Sequence, residues 1–157
     1  MTNKEISFLR EAIKISNNNI KNQGGPFGAV IVKDNEIISK AANSVTLDND
    51  PTAHAEINAI RKAAKKLKTF DLSGCEIYTS CEPCPMCLSA IYWSHIDKIY
   101  FGNTKQDAKK VGFDDSFIYD EINLPYQKRK IPTKQLLREE AIKVFKRWEE
   151  FEDKIQY

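Results

Sequence analysis

Glu76-Ile77-Tyr78-Thr79-Ser80-Cys81-Glu82-Pro83-Cys84-Pro85-Met86-Cys87-Leu88 joins two kinds of local order. Residues 76–79 are β-branched and aromatic enough to read as a strand that ends at Ser80. Pro85 suits the first turn of a helix that continues through Leu88, Ile91 and Tyr92, because proline lacks only a donor that this turn leaves unpaired. A strand therefore feeds a helix at the two cysteines.

The flanks repeat the alternation. Thr2 with Glu5 reads as a capping box, and Ile6, Leu9, Ile13 and Ile20 recur at helical spacing, which predicts a helix over roughly 3–21 ending before Gly24-Gly25-Pro26. Ala29 to Val32 is a short buried strand, residues 33–36 are a tight turn, and Ile37-Ile38 begins the returning strand. After a loop at 48–52, residues 53–66 carry Ile57, Ile60 and Ala64, followed by Leu67, on one helical face. Lys98 to Phe101 is another strand, ended by Gly102. The order β-β-α-β-α-β, with helices alternating with strands, predicts a layered α/β fold. From 103 to 132 the pattern weakens to polar loop with short ordered pieces. Residues 135–151 read as a charged amphipathic helix with Ala141, Val144, Phe145 and Trp148 as its stripe.

With 157 residues the chain fits one domain, 1–157, whose C-terminal helical segment covers about 133–157. A hydrophobic share of 41% and a charged share of 29% predict a packed core. The 24 basic and 22 acidic residues are interspersed, so no global field points to nucleic acid or a membrane, and a small ligand fits better. Nothing resembles an export signal or a bilayer-spanning segment, so the expected location is cytoplasmic. Four cysteines without an export signal favour metal ligation over disulfides.

His54 in His54-Ala55-Glu56, together with Cys84 and Cys87, is the candidate ligand set for one Zn²⁺ per subunit. Both groups sit at predicted helix starts, where free N–H groups and the helix dipole favour thiolate. Cys84 and Cys87 are three apart, so both sulfurs fall on one side of a helical turn. Three protein ligands leave tetrahedral zinc one open position, the mark of a catalytic rather than structural site. Glu56 is placed to shuttle protons as general base and general acid. Two other readings stand beside this: a redox Cys-x-x-C pair, which gives His54 and Glu56 no use, and a closed four-ligand zinc site that includes Cys81. Cys75 reads as a small buried hydrophobe and His95 as a structural residue near a helix end.

These motifs resemble the cytidine deaminase-like zinc deaminases, whose signature is His-x-Glu followed by Pro-Cys-x-x-Cys, and within them the bacterial guanine deaminases. The resemblance rests on residues 24–34, 49–56, 77–88, 90–93 and 112–122, and it continues to Tyr157. It implies a three-layer α/β fold, a central mixed sheet flanked by helices, and hydrolytic deamination of guanine to xanthine and ammonia. It also implies a purine pocket in which Asn43 hydrogen-bonds the base, Phe27 and Trp93 line or stack on it, Asp115 meets its polar edge and Tyr157 covers it. Similar enzymes form homodimers that exchange the C-terminal segment. Beside these roles stand plainer readings: Phe27 and Trp93 as core aromatics, Asn43 as a turn residue, and Asp114-Asp115 as a solvated pair. Two rival functions remain: a tRNA adenosine deaminase, for which Arg61, Lys62, Lys65, Lys66 and Lys68 would supply a basic face, and a non-catalytic zinc-stabilised binding module, for which Glu56 has no role.

Overall fold

The computed structural model describes residues 2–157, which divide into a first unit ending at Asp115 and a second, Ser116–Tyr157. In the first unit, strands β1 (Gly28–Lys33), β2 (Glu36–Ala42), β3 (Cys75–Cys81) and β4 (Lys98–Asn103) form one sheet in the order β2-β1-β3-β4. The sheet is mixed: β1 runs antiparallel to β2 and β3, while β3 and β4 are parallel. The β1–β2 hairpin closes through Asp34 and Asn35, both left-handed at φ 51° and 64°, the turn type whose twist matches paired strands. The parallel pair needs a crossover, and α4 (Pro85–Trp93) supplies it.

Strand β1 is apolar at nearly every position because both of its faces are covered. Ala29 and Ile31 pack with Ala55, Ala59 and Ala63 of α3 (Ala55–Leu67) and with Ile91 of α4. Val30 and Val32 pack on the other side with Tyr78 and with Ala12, Phe8 and Leu9 of α1 (Asn3–Lys21). The result is three layers, with α1 on one face of the sheet and α3 with α4 on the other. Gly28 lets α1 approach closely, since a Cβ there would lie 2.4 Å from the Ala12 carbonyl oxygen. Thr2 and Glu5 form the capping box expected at the start of α1.

The main departures from the sequence reading lie in its loops. Short helices α2 (Val45–Asp48) and α5 (Lys105–Lys110) occupy segments without a core-facing stripe. The start of α5 is nonetheless a capping box, with Thr104 as cap and Asp107 in place of the usual Glu or Gln. The helix expected from residue 53 begins at Ala55 because His54 takes the cap position in extended geometry.

The second unit contains α6 (Ser116–Asn123), a 3-10 turn at Tyr126–Lys128 and α7 (Arg138–Glu150). The basic run beyond the turn folds back on α6: Arg129 Nε donates to the Leu124 carbonyl at 3.2 Å, and the Lys130 N–H donates to Glu121 Oε2 at 2.8 Å. On α7 the stripe residues Val144, Phe145 and Trp148 are exposed. No helix among the described residues is long and apolar enough to cross a membrane.

Candidate metal centre and its cavity

Two helices begin beside the carboxyl end of β3. His54 is the N-cap of α3 and Cys84 the N-cap of α4, both in extended backbone geometry and neither spending its side chain on a cap hydrogen bond. Cys87 is three residues into α4, so its sulfur and that of Cys84 share one side of the first turn. His54 Nδ1 lies 3.5 Å from Cys84 Sγ and 3.4 Å from Cys87 Sγ. A tetrahedral zinc with bonds of about 2.3 Å to sulfur and 2.0–2.1 Å to nitrogen separates such atoms by about 3.6 Å. The donor set therefore fits a zinc ion, and all three ligand atoms lie within 4.8 Å of one another.

The electrostatics suit a soft cation. Cys84 is pulled down to about 4, first by a hydrogen bond from Cys87 and then by His54, against the effect of burial. Cys87 is pushed up because it holds the proton shared with Cys84 and is buried. Thiolate is thus favoured at Cys84, and the remaining protons leave when a metal takes both sulfurs.

Glu56, in the first turn of α3, is only 5% exposed, and burial raises its pKa above the ordinary carboxylate range. Sequence reasoning missed its neighbour, Thr79. The two-residue period of β3 puts Thr79 on the same face as Ile77, toward α3, and its Oγ1 lies 3.3 Å from Glu56 Oε1 and 2.7 Å from the Cys81 carbonyl oxygen. Cys81 ends β3, stands outside the three-residue ligand group, and directs its Sγ at the Thr104 carbonyl oxygen at 3.7 Å. Burial lifts its pKa to about 11. Cys75 is fully buried, and His95 lies past the end of α4 with Nδ1 3.5 Å from Asp71.

His54, Glu56 and Cys84 line a cavity of about 630 Å³ with Phe27, Asn43 and Asp115, so six of the nine expected site residues meet in one place. Cys87 completes the ligand group behind them. Asn43 Oδ1 accepts from the Val45 N–H at 3.3 Å, and its Nδ2 makes no hydrogen bond among the described residues. Asp114 pairs with Lys109 at 3.0 Å, whereas Asp115 is more buried and raised in pKa by that burial. Phe113 was not singled out from sequence, although Gly112 before it, at φ 95°, marks a tight turn. Its ring meets that of Phe27 edge-on with centroids 4.9 Å apart. Glu82 also lines the cavity and holds the start of α5 by accepting from the Lys105 N–H at 3.0 Å.

Trp93 is not brought to this cavity. It is the last residue of α4, 65% exposed, and six residues beyond Cys87 it is turned by about 240° around the helix axis. Tyr157 ends the second unit and is exposed there.

Residues 2–103 match the cytidine and deoxycytidylate deaminase zinc-binding region. A guanine deaminase of Bacillus subtilis is 49% identical over 152 residues, covering 96% of this chain and 97% of that protein. The X-ray structure of guanine deaminase from Bacillus subtilis superimposes with a TM-score of 0.95 at 47% identity, covering 100% of this chain and 99% of that one. A tRNA-specific adenosine deaminase of Aquifex aeolicus is 48% identical over 94 residues, which is 60% of this chain and 62% of that protein.

Proposed function

This chain belongs to the cytidine and deoxycytidylate deaminase zinc-binding family, and on that basis we propose that it hydrolyses guanine to xanthine and ammonia. Guanine is favoured over an adenosine in tRNA because, among near-full-length relatives, the guanine deaminase is the more similar, at 49% identity against 36% for a tRNA-specific adenosine deaminase of Buchnera aphidicola that matches 91% of this chain. The observation that carries the reading is a buried carboxylate, Glu56, beside a three-residue ligand group in the wall of a cavity with room for a nucleobase.

His54, Cys84 and Cys87 hold the zinc ion. When bound, zinc supplies the Lewis acidity that makes water nucleophilic near neutral pH. Glu56 takes a proton from the attacking water as the new C–O bond forms at C2 of the purine. It delivers that proton to the ring nitrogen next to C2, then carries the second water proton to the exocyclic nitrogen, so that the C–N bond breaks and ammonia leaves. Thr79 holds the carboxylate in line. Asn43 Nδ2 donates to an acceptor of the base, Phe27 meets the face of the ring, and the Asp115 carboxylate accepts from its N–H groups. The cavity walls exclude bulk water and strengthen these contacts.

The second unit supports a further part of the proposal. Its exposed α7 stripe calls for cover, and a homodimer that exchanges this segment supplies it, with Tyr157 of one subunit closing the cavity of the other. The chain acts in the cytoplasm on a free nucleobase. Incubating the purified zinc protein with guanine, cytidine and an adenosine-containing anticodon stem, and measuring ammonia, tests the reaction. Release from guanine alone supports it, and release from the RNA alone overturns it.

A further inference from the structure

Asn19 lies near the end of α1, is 5% exposed and does not line the cavity. Its Nδ2 donates to two carbonyls from separate segments, Gly25 O and Asn43 O, both at 2.8 Å. One turn earlier Ser16 Oγ donates to the Pro26 carbonyl at 2.6 Å. The same two segments are joined to each other, since the Asn43 N–H donates to the Phe27 carbonyl at 3.1 Å. Gly25, Pro26, Phe27 and Asn43 all line the cavity, so α1 holds one whole wall of it from behind.

The glycines carry the imprint of this arrangement. A Cβ on Gly24 would sit 2.3 Å from Asn19 Nδ2, and a Cβ on Gly25 would sit 3.1 Å from Asn43 Oδ1. Neither glycine has a positive φ, so space and not backbone conformation demands them. A primary amide is the short side chain that offers two N–H donors in one plane. An aspartate of the same shape would set oxygen against both carbonyl oxygens, and a serine has one donor.

We propose that Asn19 is a positioning residue for substrate: one amide bonded to both carbonyls fixes the separation between the Phe27 ring and the Asn43 side chain, and so the fit of the base. The identity of that base rests on the guanine reading. The effect falls on binding and not on proton transfer, because Glu56 and the three ligand residues stand on α3 and α4 in the opposite layer.

The test is a double-mutant cycle. Asn19→Ala should raise KM for guanine about tenfold with kcat within about threefold and zinc content unchanged. Gly24→Ala should reproduce this by displacing the Asn19 side chain, and the Asn19→Ala/Gly24→Ala double variant should be no worse than either single one, because the clash is gone. Asn19→Ser, with one donor, should fall between and serves if the alanine variant fails to fold. An unchanged KM, a loss of zinc or kcat in place of the KM effect, or single-variant effects that multiply in the double variant would overturn the proposal. If the native chain does not turn guanine over, the reaction is wrong, and amide exchange of Asn43 still decides: faster in Asn19→Ser supports the positioning role, unchanged refutes it.

Discussion

Among single residues, Glu56 and Thr79 divide the work most sharply. Glu56 is no ligand, so Glu56→Gln should keep zinc near one per chain and lose at least about 10²-fold in kcat, the usual scale for general acid–base catalysis. His54→Ala should lose metal and activity together, and measuring zinc beside rate separates the two cases. Thr79 has one hydroxyl proton within reach of two acceptors, Glu56 Oε1 at 3.3 Å and the Cys81 carbonyl at 2.7 Å, and donation to Glu56 ties the carboxylate to the end of β3. Thr79→Val should therefore lower kcat by about tenfold with KM little moved, and Thr79→Ser should restore it; a KM effect alone would place Thr79 elsewhere in the mechanism. The ligand group and Glu56 were legible in the sequence because each lies in a short run whose spacing a helix start converts directly into geometry. Thr79, Phe113 and Asn19 were not, because they reach the site through neighbours far along the chain: Asn19 meets Asn43 across 24 residues, and a bond to a backbone carbonyl leaves no mark on the partner's residue type.

At the scale of elements, the four strands and the longer helices followed from periodicity, since β1 alternates between two covered faces and α3 repeats alanine every fourth residue. The short helices escaped because each is too brief to show a stripe, and α5 is fixed at its start instead, by its Thr104–Asp107 box and by Glu82. The α1 layer carries a pH dependence. Glu11 is held below its ordinary range by Lys40, Glu5 by the Thr2 backbone and then Tyr100, and Glu76 by Tyr78 and then Lys98. A carboxyl depressed in the folded state stabilises fully above the unfolded value and loses that contribution as pH falls through the folded one. The part of the thermal stability that these three carboxyls supply should thus be level above about pH 5 and decline below about 4.5, near the unfolded carboxylate value, with a shallower decline in Glu11→Gln. Melting curves at pH 7, 5 and 3.5 check this, and an equal decline in Glu11→Gln would remove the Lys40 pair from the account.

For the whole molecule, the two units raise a question of assembly that periodicity could only pose: an apolar stripe on α7 must be covered, but a stripe does not name its cover. If the tail is exchanged as proposed, removing the last few residues including Tyr157 should leave zinc bound and strongly impair turnover. Reassembling that truncated chain with Glu56→Ala chains should recover activity, because the intact zinc site of one chain then receives the tail of the other. No recovery after verified hybrid formation would assign the tail to its own subunit. The claim on which everything else depends is that this chain is a zinc-dependent guanine deaminase, and metal titration tests it most directly. Chelator-stripped protein is reconstituted with increasing zinc, and xanthine and ammonia from guanine are measured at each step. Activity should rise in proportion to bound zinc, reach its plateau at one per chain and yield one ammonia per xanthine. Full turnover without the metal, or a zinc-saturated, folded chain that leaves guanine untouched, would contradict it.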